Sequence, residues 1–288
     1  MTLEPYDIMK NFFIFAKHKN TTTVSILFLS TIILLAILIP FLSPYSDDLI
    51  GAVHLEINNQ APSLSHFFGT DAAGRDMFTL TLRGGLVSIR VAIGVVLMSV
   101  VLGAPLGFIA GVSGKKLDEI IMRISDAFLS FPPLVLPIVI AIALGGSLNS
   151  VMIGIAISWF PWYVRIARAQ AMIIKSSDYV LISKSMGASL FHIVKKHILP
   201  NSISPVIVQA SIDAGYAILT VAGLSFIGLG AEPPSSEWGL LITASRAQFL
   251  YHWWVIVFPG LFILFTVLSF NIIGDDLRDY LNPKIENN

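Results

Sequence analysis

Asp213, Gln209 and Asn271 are polar residues inside otherwise apolar runs of this 288-residue chain. A carboxylate in such a run is costly unless it faces a partner or a cavity. Two readings of Asp213 stand side by side. It lines a translocation path, where it would favour cationic or amine-bearing cargo, or it accepts hydrogen bonds between helices. Gln209 and Asn271 are weaker path candidates, since amides also join helices by hydrogen bonding. Asp126 lies near Arg123, Arg165 and Arg168, and an interhelical salt bridge is expected there. The chain offers little covalent chemistry. It contains no Cys, which removes thiol catalysis and Cys-based metal sites. His18, His54, His66, His192, His197 and His252 are scattered, with no HExxH spacing and no convergence on one span. No Ser/His or paired-Asp set stands at matching depth, so an intramembrane enzyme is disfavoured. No GxxxxGK[ST] loop is present to hold ATP.

A second group of residues could bind rather than react. The stretch 176–201, SSDYVLISKSMGASLFHIVKKHILPN, is polar and basic between hydrophobic runs. Ser177 or Asp178 can cap a helix start. Tyr179, Ile182 and Met186 recur at spacings of three and four, giving one apolar face. Gly187 permits a sharp turn. Phe191, Val194 and Ile198 form a second apolar face, opposed by Lys195, Lys196 and His197, and Pro200 is expected to close the segment. Such an element is either a solvated loop helix or a docking element for a partner that covers its apolar side.

The elements that position these residues follow from hydropathy. The chain is 55% hydrophobic and 12% charged, against about 25% charged in soluble domains. Lipid is the implied solvent. Net charge is zero, which gives no footprint for nucleic acid. A span needs about 20 apolar residues. Six are expected: 24–42, 86–112, a third built from 117–129 and 131–144 and bent at Pro132 and Pro133, then 148–166, 203–228 and 254–273. The first is too long for a signal-peptide core and is read as retained. Trp253 and Trp254 are expected in an interfacial belt. Of the 18 Lys and Arg residues, all but Arg75, Arg83, Arg90 and Arg246 fall on the side of the termini. By the positive-inside rule the termini, the turn at Lys115 and Lys116, and the 176–201 stretch are cytoplasmic.

Several ordered motifs give this chain a family resemblance. Gly187 followed by His197-Ile198-Leu199-Pro200 resembles the cytoplasmic EAA loop of ABC-importer inner-membrane permeases. FGTDAAGRD at 68–76, RISDAFLSFPPLVLPI at 123–138, LSFIGLGAEPPSSEWG at 224–239 and FPGLFILFTVLSFNIIGDDLRDYLNP at 258–283 resemble the peptide and nickel branch, specifically its C-type subunit. The resemblance covers about residues 24–283. It implies an all-α polytopic membrane protein with six transmembrane helices and the type I ABC-importer permease fold. It also implies a multi-pass protein of the bacterial inner membrane. The cargo would be peptides, nickel or a metal–chelator complex. The implied partners are a second homologous permease, two cytoplasmic ATPase subunits carrying ATP and Mg2+, and an extracytoplasmic substrate-binding lipoprotein. No cofactor would be bound directly.

The implied organisation is residues 1–43 for the N-terminal segment and first span, 44–85 outside, 86–275 as the permease core, and 276–288 as the cytoplasmic tail. Coupling would fall to Asp178, Leu181, Ile182, Ser183, Lys184, Gly187, Ala188, His197, Leu199 and Pro200. Leu181, Ile182 and Ser183 stand where the family has Glu-Ala-Ala, so the usual acidic residue is missing, while Asp178 lies one turn earlier. Coupling is then expected through shape and apolar contact. The 68–76 motif reads as a self-paired polar turn or as an external element near the binding-protein face. The 224–239 stretch reads as a re-entrant cap at the outer gate, a rigid linker, or both. The rival functions are a secondary transporter, which would need paired intramembrane charges, and a non-transporting scaffold.

Overall fold

The computed structural model describes residues 19–281. Helices dominate it. Helix α1 spans Asn20–Leu42, α2 Met77–Val112, α3 Lys115–Leu129, α4 Val135–Ala143 and α5 Leu148–Lys175. Helix α6 spans Asp178–Ser185, α7 Leu190–Ile193, α8 Leu199–Phe226, α9 Trp238–Ser245 and α10 Trp254–Leu281. Lys10, Lys17, His18, Pro283 and Lys284, which the sequence reading used, lie outside the described residues.

Among the described residues, five helices are long and apolar enough to cross a membrane: Asn20–Leu42, Met77–Val112, Leu148–Lys175, Phe191–Phe226 and Trp254–Leu281. The expectation of six such helices is therefore corrected. The third expected span is two pieces, α3 of 15 residues and α4 of 9. Pro132 and Pro133 remove two backbone donors, and each disfavours helical backbone in the residue before it. Neither piece alone reaches the length of a span.

Other boundaries shift for physical reasons. Helix α2 starts at Met77 rather than residue 86 because Asp76 caps it, accepting the Thr79 N–H at 2.8 Å. Its polar first turns are buried against protein, so hydropathy underrates them. At 36 residues and about 1.5 Å per residue it outruns the bilayer core. Helix α5 likewise continues past residue 166 to Lys175. Its Ser147 cap accepts the Ser150 N–H. Pro40 sits inside α1, where it leaves the Ala36 carbonyl without its usual donor. Arg83 of α2 fills that vacancy, donating from Nη1 at 3.0 Å.

The core lies among α2, α5, α8, α9 and α10, and includes Leu80, Val95, Val151, Ile155, Ile218 and Trp238. Helices α2 and α5 form its most extensive pair. Gly103, Gly107 and Gly111 recur every four residues along their contact. A Cβ at Gly103 would stand 2.2 Å from the Phe160 carbonyl oxygen, and one at Gly107 2.4 Å from that of Val164. Small residues at this spacing let two helices approach backbone to backbone. At one end of α5, Lys175 Nζ donates to the Val112 carbonyl at 2.9 Å. At the other end, the Gly146 carbonyl accepts the Gly230 N–H at 2.9 Å.

A polar cap covers the start of α2. Asp71 pairs with Arg75 at 2.6 Å and also accepts the N–H groups of Ala73 and Arg75. Asp48 accepts from the Asp76 N–H at 2.7 Å. His66 Nδ1 lies 3.0 Å from Asp76 Oδ2. Trp254 is buried and donates its indole N–H to the Thr70 carbonyl at 3.1 Å. It holds the cap on α10 and does not belong to a lipid-facing belt, which corrects the expectation for that residue; Trp253 is half exposed.

Candidate functional site

Two places bring the candidate residues together. The first is a cavity of about 490 Å³ between the α3–α4 break, α5 and α8. The Pro132–Pro133 interruption opens it. A continuous helix would carry its side chains past this point at regular spacing. Gly154 of α5 lets α4 pack close, since a Cβ there would stand 2.7 Å from the Pro137 carbonyl oxygen.

Gln209, Asp213 and Tyr216 stand at i, i+4 and i+7 on α8, so they share one face, and all three line this cavity. Trp159 and Trp162 of α5 form the opposite wall. Trp159 stacks on Tyr216 with ring centroids 5.4 Å apart and planes at 21°. Asp213 Oδ2 accepts from the Tyr163 hydroxyl at 2.6 Å, and Oδ1 accepts from Gln209 Nε2 at 2.8 Å. Both readings of Asp213 thus describe the same atom group: it bridges α5 to α8 and it faces a cavity. Tyr163, Trp159, Trp162 and Tyr216 were not singled out from sequence. Tyr216, three residues after Asp213 on α8, was the local signal; Trp159, Trp162 and Tyr163 lie on α5 and carried none.

Gln209 also borders a second, polar cavity of about 730 Å³, lined by Gln170, Asn201, Ser204 and Arg278 among others. Asn271 borders neither cavity. It packs against α8, its Oδ1 3.4 Å from where a Gly215 Cβ would stand. Asp126 forms the expected interhelical pair, with Arg165 Nη2 at 2.7 Å. A second pair joins the same helices, Arg168 Nη2 to Asp118 Oδ2 at 2.7 Å.

The second place is the 176–201 stretch. Helix α6 starts at Asp178 and carries Leu181, Ile182, Ser183 and Lys184. It ends in a Schellman turn: the Gly187 N–H bonds the Lys184 carbonyl and the Ala188 N–H bonds the Ser183 carbonyl. That turn needs the left-handed backbone found at Gly187, φ +86°, which glycine adopts without a Cβ clash. Val180, Ile193 and Ile198 are buried and fix the stretch to the bundle. Tyr179, Leu181, Ile182, Met186 and Phe191 are exposed, Met186 at 83% and Phe191 at 75%. Of the two apolar faces expected from periodicity, Tyr179, Ile182 and Met186 are exposed together, while the second is split: Ile198 points inward and Phe191 outward. His197 lies near Tyr179, ring centroids 5.7 Å apart.

Pro200 does not close the segment, contrary to expectation. Residues Phe191–Phe226 run as one helix through it. A π turn at Val194–Ile198, with the Leu199 N–H bonded to the Val194 carbonyl, widens the helix just before the ring. Leu199 is exposed beside Pro200.

Comparison with known proteins decides the family. Residues 103–287 match the family described as binding-protein-dependent transport system inner membrane component. The chain belongs to that family. It is 44% identical over 268 residues to the probable D,D-dipeptide transport system permease protein DdpC of Escherichia coli (strain K12), covering 93% of this chain and 89% of that relative. It is 36% identical to the dipeptide transport system permease protein DppC of Bacillus subtilis (strain 168), over 93% of this chain and 83% of the relative. The glutathione transport system permease protein GsiD of Pectobacterium atrosepticum is 37% identical over 90% of this chain and 86% of its own. Among solved structures, the inward-facing MetNI methionine ABC transporter aligns with a TM-score of 0.60 at 18% identity, over 72% of this chain and 98% of that one. That likeness shows the fold: an all-α, polytopic importer permease. As a permease of this family, the chain is a transport component and not an enzyme.

Proposed function

We propose that this chain is one of two permease subunits of an ATP-driven peptide importer, and that it couples to a separate ATPase through residues 176–201. The carrying observation is the exposed apolar surface of Tyr179, Ile182, Met186 and Phe191 on a stretch whose other side is locked into the bundle. Such a surface in water calls for a protein cover. It stands beside α5 and α8, so a push on it is delivered to the helices that carry Trp159 and Asp213. Alternating access then follows from two states biased by nucleotide on the partner. The names of the relatives, dipeptide and glutathione permeases, support a small peptide as cargo over nickel or a metal–chelator complex. An extracytoplasmic binding protein would deliver it.

In this reading the bundle makes six crossings, the sixth being the α3–α4 pair. Support comes from α5. Its Lys175 end touches Val112 and its opposite end lies beside Gly230, and residues 113–147 connect those two ends. Six crossings put both termini in the cytoplasm, residues 44–85 outside and 86–275 in the core. Asp178 and Lys184 supply the polar rim of the coupling surface. Asp213 and Gln209 border the path, while Asn271 packs against α8. The 224–239 stretch, with α9 behind it, forms the outer gate. The test is Met186→Glu combined with Phe191→Glu. Uptake and co-purification of the ATPase should both fall at least tenfold while the amount of chain in the membrane is unchanged. Full uptake by this variant would overturn the coupling assignment.

A further inference from the structure

Asp213 differs from the carboxylates at the helix ends. Asp118, Asp126 and Asp276 each face a cation: Arg168, Arg165 and Lys19. Among the described residues no Lys, Arg or His pairs with Asp213, and none lines its cavity. Its two donors, Tyr163 and Gln209, are neutral. A carboxylate offers about four lone-pair sites, so both oxygens keep acceptor capacity after those bonds. Arg165 lies 6.0 Å from the Trp162 ring, but its guanidinium is engaged by Asp126 at 2.7 Å. The cavity therefore holds a carboxyl group that no cationic side chain among the described residues pairs with.

The walls complete the pattern. Trp159 and Tyr216 present a stacked pair, and Trp162 stands half exposed on the same cavity. Aromatic faces attract cations, most strongly where water is excluded. A carboxylate beside three aromatic rings is the chemistry that recognises an ammonium group. A neutral amide can donate a hydrogen bond to the carboxylate but brings no charge, and a carboxylate terminus is repelled.

We propose that this cavity binds the α-ammonium group of the transported peptide, with Asp213 as counter-ion and Trp159, Trp162 and Tyr216 as the surrounding faces. Tyr163 and Gln209 hold the carboxylate in place and leave its charge for the cargo. The proposal rests on the peptide-importer reading for the identity of the cargo, but not for the ammonium site itself.

The test uses the purified importer complex and the tryptophans already in the wall. Alanyl-alanine amide, a cation, and N-acetyl-alanyl-alanine amide, its neutral counterpart, are titrated while Trp fluorescence is followed. Saturable binding of the cation is expected in the wild type, at least tenfold tighter than of the neutral compound. Asp213→Asn, which keeps acceptor and size, should abolish that tenfold preference, and Asp213→Glu should restore most of it. Equal binding of the two compounds by the wild type, or an unchanged preference in Asp213→Asn, would overturn the site. Uptake of alanyl-alanine by cells separates the two readings. Cation-selective binding without uptake removes the peptide assignment and keeps the ammonium site; uptake unaffected by Asp213→Asn keeps the importer and removes the site.

Discussion

Replacing Gly107 by Ala adds one carbon at the tightest kind of contact in this bundle. That carbon would stand 2.4 Å from the Val164 carbonyl oxygen, 2.7 Å from Ala167 Cβ and 3.0 Å from the Arg168 nitrogen. Two of those neighbours are backbone and the third is a Cβ, so no side chain can rotate away. Restoring an ordinary carbon–oxygen contact requires α2 and α5 to part by roughly 1 Å locally, close to the methyl-scale overpacking that costs about 1–3 kcal/mol. Gains in helix propensity from Gly to Ala return at most about 1 kcal/mol. The net loss is about 1–2 kcal/mol, or a fall in Tm of roughly 2–8 °C for a domain of this size. Gly114→Ala is a control without a close contact, because nothing lies within 4 Å of a Cβ there, although Gly114 is the N-cap of α3 and lies outside a helix interior. Thermal unfolding of the purified chain in detergent reads both variants. A Gly107→Ala protein that melts with the wild type would refute the close-contact reasoning, and one that melts with Gly114→Ala below the wild type would point to glycine loss in general.

Three further outcomes follow from the same geometry. Arg83→Ala leaves the Ala36 carbonyl unpaired beside Pro40, and an unmet buried acceptor should cost about 1–3 kcal/mol in chemical or thermal unfolding; Arg83→Ala and Pro40→Ala together should recover part of that loss. Glu237 is buried and caps α9 through the Gly239 and Leu240 N–H groups at 2.9 and 2.8 Å, so Glu237→Ala should lower stability by about 1–2 kcal/mol, read as Tm. Burial holds the Asp48 carboxyl above the usual carboxylate range against the opposing pull of the Asp76 N–H and His54. Its contribution to the cap is therefore complete below the unfolded carboxylate value, near 4, and is lost as pH rises through the raised folded value. Hydrogen exchange across residues 44–76 should show greater protection at acidic than at neutral pH, and Asp48→Asn should flatten that dependence.

The exposed apolar side and the turn of the 176–201 stretch were legible because amphipathic spacing and a glycine stop are local properties. Gly187 could be assigned a turn from its type alone, and the Schellman bonds bear that reading. Pro200 was misjudged because the compensation is not at the proline: the π turn at Val194–Ile198 lies upstream and depends on packing of Ile193 and Ile198. The cavity was half legible. Asp213 and Gln209 stand out in an apolar run, whereas Trp159, Trp162 and Tyr216 resemble ordinary lipid-facing aromatics until α5 and α8 are placed together.

Hydropathy in the sequence alone determined that this chain lives in a bilayer and where most of its spans lie. Transfer from water to lipid depends on composition over about 20 residues, and composition is written locally. Only the tertiary structure decided that Trp254 holds the polar cap over the start of α2, and that Asp213 faces aromatic rings with no cation beside it among the described residues. Those facts depend on contacts between residues far apart in the chain, such as Tyr163 with Asp213 and Arg83 with Ala36. Hydropathy and spacing along the chain do not specify such pairings, because each side chain is satisfied by whichever group the packed helices bring to it.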